Sequence, residues 1–173
     1  QDALPGFGVR HPLFVEKYSA FVAALAERYD GHPSIEFVQV GGVGRWEETY
    51  VHTENDAMSE RWQAEGYTHD RYTEHCIRMS KVFQEHFQRT PVLLSISIGG
   101  PDPAVASREE VGWRLAEYAA ATGIWLKQNG WNPFYSYTNH EHFSRIFRRY
   151  RDTVPCIYEQ GSPLNSRWGG RPK

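Results

Sequence analysis

Two glutamates that follow apolar runs are the residues of this chain best suited to chemistry. Glu48 comes after the run 35–40 and the glycine-rich turn Gly41-Gly42-Val43-Gly44, and Glu159 comes directly after the run 154–158. Two carboxyl groups flanking one bond can cleave a glycosidic linkage. One stays protonated and hands its proton to the leaving oxygen, while the other attacks the anomeric carbon or activates water to do so. Glu47 and Glu48 stand side by side next to Trp46. Like-charge repulsion and partial desolvation in such a setting favour the protonated form that a general acid needs.

Other polar residues collect at comparable places. Lys127-Gln128-Asn129 follows the apolar triplet 124–126, and the run 92–98 ends in Gly99-Gly100-Pro101-Asp102. Arg45, Glu47, Lys127, Gln128 and Asn129 are candidates for hydrogen bonds to sugar hydroxyls. Trp46, Tyr158 and Trp168 are candidates for stacking on sugar rings, although aromatic planes are equally ordinary core material. Trp125 is a candidate of the same kind.

Competing chemistries have less support. Ser95 and Ser97 lie in an apolar run without the Gly-x-Ser-x-Gly elbow of a serine hydrolase. His140 and His142 are two residues apart, so on a helix they point to different faces, and neither His69 nor His75 stands at motif spacing from them. No metal site follows. The turn at residues 41–44 has neither the Walker lysine nor dinucleotide-type glycine spacing, and two-carboxylate hydrolysis requires no cofactor. Cys76 and Cys156 fit neither a redox pair nor a zinc site and read as small apolar-facing side chains.

The elements that must position these residues alternate. Phe14, Tyr18, Phe21, Val22, Leu25 and Tyr29 recur at helical spacing after His11-Pro12, and Asp30-Gly31-His32-Pro33 ends the pattern. A strand over 35–40 follows. Residues 47–67 read as a long polar and aromatic loop with one helical turn. Thr68 or Asp70 caps a helix carrying Tyr72, Cys76, Met79, Val82, Phe83 and Phe87. The nearly continuous apolar run 92–98 is the clearest strand, of the kind covered on both faces. A helix from Ser107 to Ala121, stopped by Gly123, leads into a third strand. A helix opened by the segment 139–142 and carrying Phe143, Ile146, Phe147 and Tyr150 leads into the fourth. Helix then strand, four times over, predicts an α/β protein with parallel strands and right-handed crossovers. Four strands do not close an eight-unit barrel, which takes about 250 residues. The pattern leaves half a barrel or an open parallel sheet.

The segment Tyr29-Asp30-Gly31-His32-Pro33-Ser34-Ile35-Glu36-Phe37-Val38-Gln39-Val40-Gly41-Gly42-Val43-Gly44-Arg45-Trp46-Glu47-Glu48 resembles the strand-4 region of β-galactosidase-like (β/α)8-barrel glycoside hydrolases. There a helix ends in Tyr-x-x-x-Pro, a strand follows, and a Gly-x-Trp-x-Glu turn carries the acid. In that clan of retaining enzymes the acid/base glutamate follows strand 4 and the nucleophile follows strand 7. The resemblance implies a partial TIM (β/α)8 barrel over residues 1–173 as one domain, strands 4 to 7 with the preceding helix. It implies Glu48 as acid/base and Glu159 as nucleophile. Many members of the clan have Asn before the acid where this chain has Glu47, which leaves Glu47 as a specialised sugar contact or as the acid itself.

With 19 basic and 21 acidic side chains the net charge of −2 gives no reason to propose a nucleic-acid partner, and no run near 18 apolar residues suggests a membrane span. A carbohydrate substrate is the expected partner. A half-barrel leaves strand edges exposed, so the missing barrel part or self-association is expected to cover them. The alternative is a carbohydrate-binding barrel remnant without catalysis. The start carries no signal-peptide pattern, and the compartment stays open, an extracellular or periplasmic setting being favoured over the cytoplasm.

Overall fold

The computed structural model describes residues 11–44, 56–64, 66–96, 105–131 and 141–160. Among the described residues, five helices and four strands follow one another as α1 (Pro12–Tyr29), β1 (Val38–Gln39), α2 (Asp56–Ala64), α3 (His69–His86), β2 (Val92–Ser95), α4 (Val105–Thr122), β3 (Trp125–Trp131), α5 (Glu141–Tyr150) and β4 (Cys156–Gln160). The four strands form one all-parallel sheet in the order β1-β2-β3-β4. The α/β reading with parallel strands therefore holds. Each strand is laid beside the one before it, and the described sheet has no point at which strand order reverses.

Local chemistry accounts for the helices. Proline at the first turn of α1 costs no hydrogen bond, and the His11 side chain accepts from Leu13 N–H at 3.2 Å. Val15, Val22 and Ala26 turn the buried face of α1 inward. Thr68 Oγ1 caps α3 by accepting from Arg71 N–H at 3.2 Å. Tyr72, Cys76, Met79 and Phe83 then form its buried stripe, four or three residues apart. Two polar residues on that helix, Thr73 and Ser80, return their hydroxyls to the carbonyls of His69 and Cys76 at 2.7 and 2.8 Å. Gly123 ends α4 at φ +77°, a left-handed conformation that suits glycine after a helix. The segment expected to be loop with one helical turn contains α2, nine residues long. Its Trp62 packs edge-on against Tyr67 with ring centroids 6.0 Å apart. That aromatic contact, made across a turn, is a tertiary anchor that periodicity alone does not reveal.

Side chains alternate across a strand, which gives the sheet two different faces. One face presents Val38, Val40, Val92, Leu94, Ile96, Leu126 and Cys156, and these join Val22, Met79, Leu115 and Ile146 of the helices in a single apolar core. The registers Gln39↔Leu93, Leu93↔Trp125, Ser95↔Lys127 and Lys127↔Ile157 put a second set of residues on the other face. Phe37 and Trp125 meet there, with ring centroids 6.2 Å apart, at the end where the strands begin. Gln39 and Ser95 close β1 and β2, Glu159 is the last residue but one of β4, and Lys127, the third residue of β3, stands in register with Ser95.

The starts of the strands are fastened by the Asp-Gly turn after α1. The Asp30 carboxylate accepts from the backbone N–H groups of Gln88, Arg89 and Thr90 at 2.8–3.2 Å, and Gly31 N–H donates to Thr90 Oγ1 at 2.7 Å. These bonds tie the turn before β1 to the turn before β2. Burial works against the ionised form of Asp30, but the three N–H donors and the Arg89 guanidinium overcome it and hold the carboxyl at about 2. Gly31 sits at φ +74°, where a Cβ would lie 2.8 Å from the Arg89 guanidinium.

Candidate active site

Three polar side chains from three strands meet on one face of the sheet. Lys127 of β3 donates from Nζ to Gln39 Oε1 of β1 at 2.9 Å, reaching across β2. The same ammonium forms an ion pair with the Glu159 carboxylate of β4. Lys127 is largely enclosed, its side chain 13% exposed, whereas that of Glu159 is 48% exposed. An enclosed ammonium thus holds a carboxylate that stays open to solvent. Ser95 of β2, buried and in register with Lys127, lies on the strand between Gln39 and Lys127. Beyond this point β3 carries one residue more than β4 between paired positions, Gln128↔Tyr158 and Trp131↔Gln160. A bulge there re-aims the strand end next to Glu159.

Lys127 and Glu159, singled out from the sequence, are therefore brought together. Gln128 and Tyr158, their immediate neighbours in the chain, alternate onto the helix-covered face. Gln128 is fully buried there. The Tyr158 ring packs against Phe147 of α5 at a centroid distance of 4.7 Å, and burial pushes its phenol above the usual value. Neither shares the face that carries Glu159. Trp125 shares it, but at the opposite end of the strand. Asn129 is part of β3, though its side chain lies outside what the structure describes. Arg45, Trp46, Glu47, Glu48 and Trp168 fall outside the described residues.

The turn that leads towards Glu48 is described as far as Gly44, and it is clamped from two helices. His75 of α3, buried, places Nε2 2.9 Å from the Gly42 carbonyl oxygen. A carbonyl only accepts, so Nε2 carries the proton. Gly42 has φ +72°, and a Cβ on it would meet the Tyr18 ring of α1 at 3.1 Å and the Met79 methyl of α3 at 3.3 Å. The glycine allows the chain to pass this closely between the two helices.

Sequence reasoning missed Gln39 and His75 as parts of this end of the sheet. For Gln39 a signal was present, a lone amide between Val38 and Val40 in an otherwise apolar run. For His75 the sequence offers none, because its partner is a backbone carbonyl 33 positions away. The two cysteines remain free thiols; burial pushes Cys76 up to about 12 and Cys156 to about 11, far from nucleophilic thiolates. Among the described residues, no group of three or more His, Cys, Asp or Glu could hold a metal ion, and no helix is long and apolar enough to cross a membrane. No protein-family model, curated protein or solved structure matches this chain.

Proposed function

We propose that the chain is the strand-4 to strand-7 part of a (β/α)8 barrel that hydrolyses an O-glycosidic bond with retention. Glu159 is the nucleophile and Glu48 the acid/base. The observation that carries this reading is the placement of Glu159 at the finishing end of β4, on the face shared with Lys127 and Gln39, in a parallel sheet with sequential strand order. Chemistry in parallel barrels gathers at that end.

In the first step a Glu159 oxygen attacks the anomeric carbon as the bond to the leaving oxygen breaks, and Glu48 transfers its proton to that oxygen. In the second step Glu48 takes a proton from water, the water oxygen bonds to the anomeric carbon, and the Glu159 ester bond breaks. Glu47 and Trp46, adjacent to the acid in the sequence, and Arg45 and Trp168 are assigned to sugar contacts. A carbohydrate is the substrate.

A further strand beside β1 completes the fold in this reading. The edge of β1 and the flanks of α1 and α3 bound a groove of about 500 Å³ lined by Tyr18, Phe21, Leu25, Val38, Phe83 and Phe87, among others. Phe21 is 54% exposed. Such an apolar groove between a helix and an edge strand fits the side chains of one more parallel strand, supplied by other polypeptide or by a second copy.

The test is hydrolysis of a panel of aryl glycosides by the chain, alone and as Glu48→Gln and Glu159→Gln. Loss of turnover in both variants with sugar binding retained supports the reading. Binding without turnover in the unaltered chain supports a carbohydrate-binding remnant instead, and turnover that survives both substitutions removes these carboxylates from the mechanism.

A further inference from the structure

We infer that Lys127 is a positioning residue, which fixes the carboxylate of Glu159 and is itself fixed by Gln39, rather than a contact to the sugar. The inference deepens the glycosidase reading, and its kinetic arm rests on that reading.

Three observations carry it. The Lys127 ammonium is already committed to two partners, the Gln39 amide oxygen at 2.9 Å and the Glu159 carboxylate. Its side chain is 13% exposed while that of Glu159 is 48% exposed, so a ligand arriving from solvent reaches the carboxylate and finds the ammonium behind it. The partners come from β1, β3 and β4, so the chain of contacts spans the described sheet from its first strand to its last. An ammonium has three donors and no fixed plane. Alone it would let a glutamate with freely turning torsions sample several rotamers. The amide oxygen of Gln39 removes that freedom by fixing where Nζ sits.

The consequence is specific to the strand arrangement. Gln39 closes β1, which precedes the turn Gly41–Gly44 and then Glu48 in the sequence, and Glu159 lies on β4, three places along the sheet. The Gln39–Lys127–Glu159 series therefore sets the nucleophile's carboxylate relative to the strand from which the acid departs. Near-attack geometry tolerates little error, and a misplacement of about 1 Å costs about 100-fold in rate.

The experiment has two arms on the full chain. The first needs no substrate: a ¹H–¹⁵N spectrum selective for side-chain ammonium groups, with the Lys127 signal assigned by its absence in Lys127→Arg. The expected result is a Lys127 signal protected from exchange, weakened in Gln39→Leu and lost in Glu159→Gln. The second arm is kinetic, on whichever aryl glycoside the chain hydrolyses. Lys127→Met is expected to lower kcat by about 100-fold with KM within about threefold, and Lys127→Arg to recover to within about tenfold of the unaltered chain.

An ammonium signal that is absent, or indifferent to Glu159→Gln, overturns the inference whether or not the chain turns over a glycoside. So does a Lys127→Met variant whose KM rises while kcat stays, because that is the signature of a sugar contact. A correct ammonium signal in a chain that hydrolyses no glycoside leaves the positioning role standing and sinks the glycosidase reading alone.

Discussion

The two ends of the sheet are built from similar polar residues and put to opposite uses. Where the strands begin, Asp30 is satisfied: three backbone N–H groups and the Arg89 side chain surround it, and its side chain is 11% exposed. Where the strands finish, Glu159 keeps one side against Lys127 and the other towards solvent. A carboxylate saturated with donors is a fastener, because it has no lone pair left to offer and no reason to move. A carboxylate held from behind and open in front can meet a ligand. The same residue class is thus saturated at one place and left open at the other by what surrounds it.

Substitutions can separate the two ends. The largest effect is expected at Glu159, where Glu159→Gln should cut glycoside turnover by about 1000-fold or more, the loss expected when a covalent nucleophile is removed. Its melting temperature should stay within a few degrees, because the half-exposed position keeps an amide oxygen that can still accept from the Lys127 ammonium. A Glu159→Gln variant that melts early and keeps its rate would reverse the comparison.

Asp30→Ala should behave in the opposite sense. It removes the acceptor of three backbone N–H groups and should cost about 2–3 kcal/mol, or roughly 4–12 °C in melting temperature for a chain of this size. Turnover per folded molecule should be unchanged, which thermal denaturation paired with active-site titration would show.

Acid titration gives a finer version of the same test. Because the folded-state carboxyl of Asp30 is lowered from 3.8 to about 2, its contribution is present in full above the unfolded value and is lost as pH falls from about 4 through about 2. Urea midpoints measured across that interval should fall more steeply in the unaltered chain than in Asp30→Asn. Equal slopes would remove Asp30 from the role of fastener.

The smallest effect is expected at Gly31. Gly31→Ala places a Cβ at positive φ and 2.8 Å from the end of the Arg89 side chain. The guanidinium can move aside, so the cost should be mainly conformational, about 1–2 kcal/mol. A neutral result would mean that the turn relaxes out of its left-handed conformation.

These two ends were unequally legible in the sequence. Apolar spacing placed α1, α3, α4 and α5 and all four strands, because each element buries a stripe against one continuous core. Thr68 and Gly123 marked a helix start and a helix end for reasons that act within a few residues. The Asp30-Gly31 turn read only as a stop signal, since its partners at Gln88–Thr90 lie 58 to 60 positions away. At the finishing end, Lys127 and Glu159 could be named from their places in strands, but not which neighbours share their face. A shift of one residue inverts a strand, and that is why Gln128 and Tyr158 belong to the helix layer while Gln39, passed over in the sequence, meets Lys127.

The proposed reaction turns on attack by the open carboxylate at the finishing end of β4 on a sugar. Incubation with activated 2-deoxy-2-fluoroglycosides, followed by intact-mass measurement and peptide mapping, would trap it. The expected result is one added glycosyl unit on the peptide containing Glu159, absent in Glu159→Gln. A chain that hydrolyses glycosides yet acquires no label, or carries it on another residue, would contradict it.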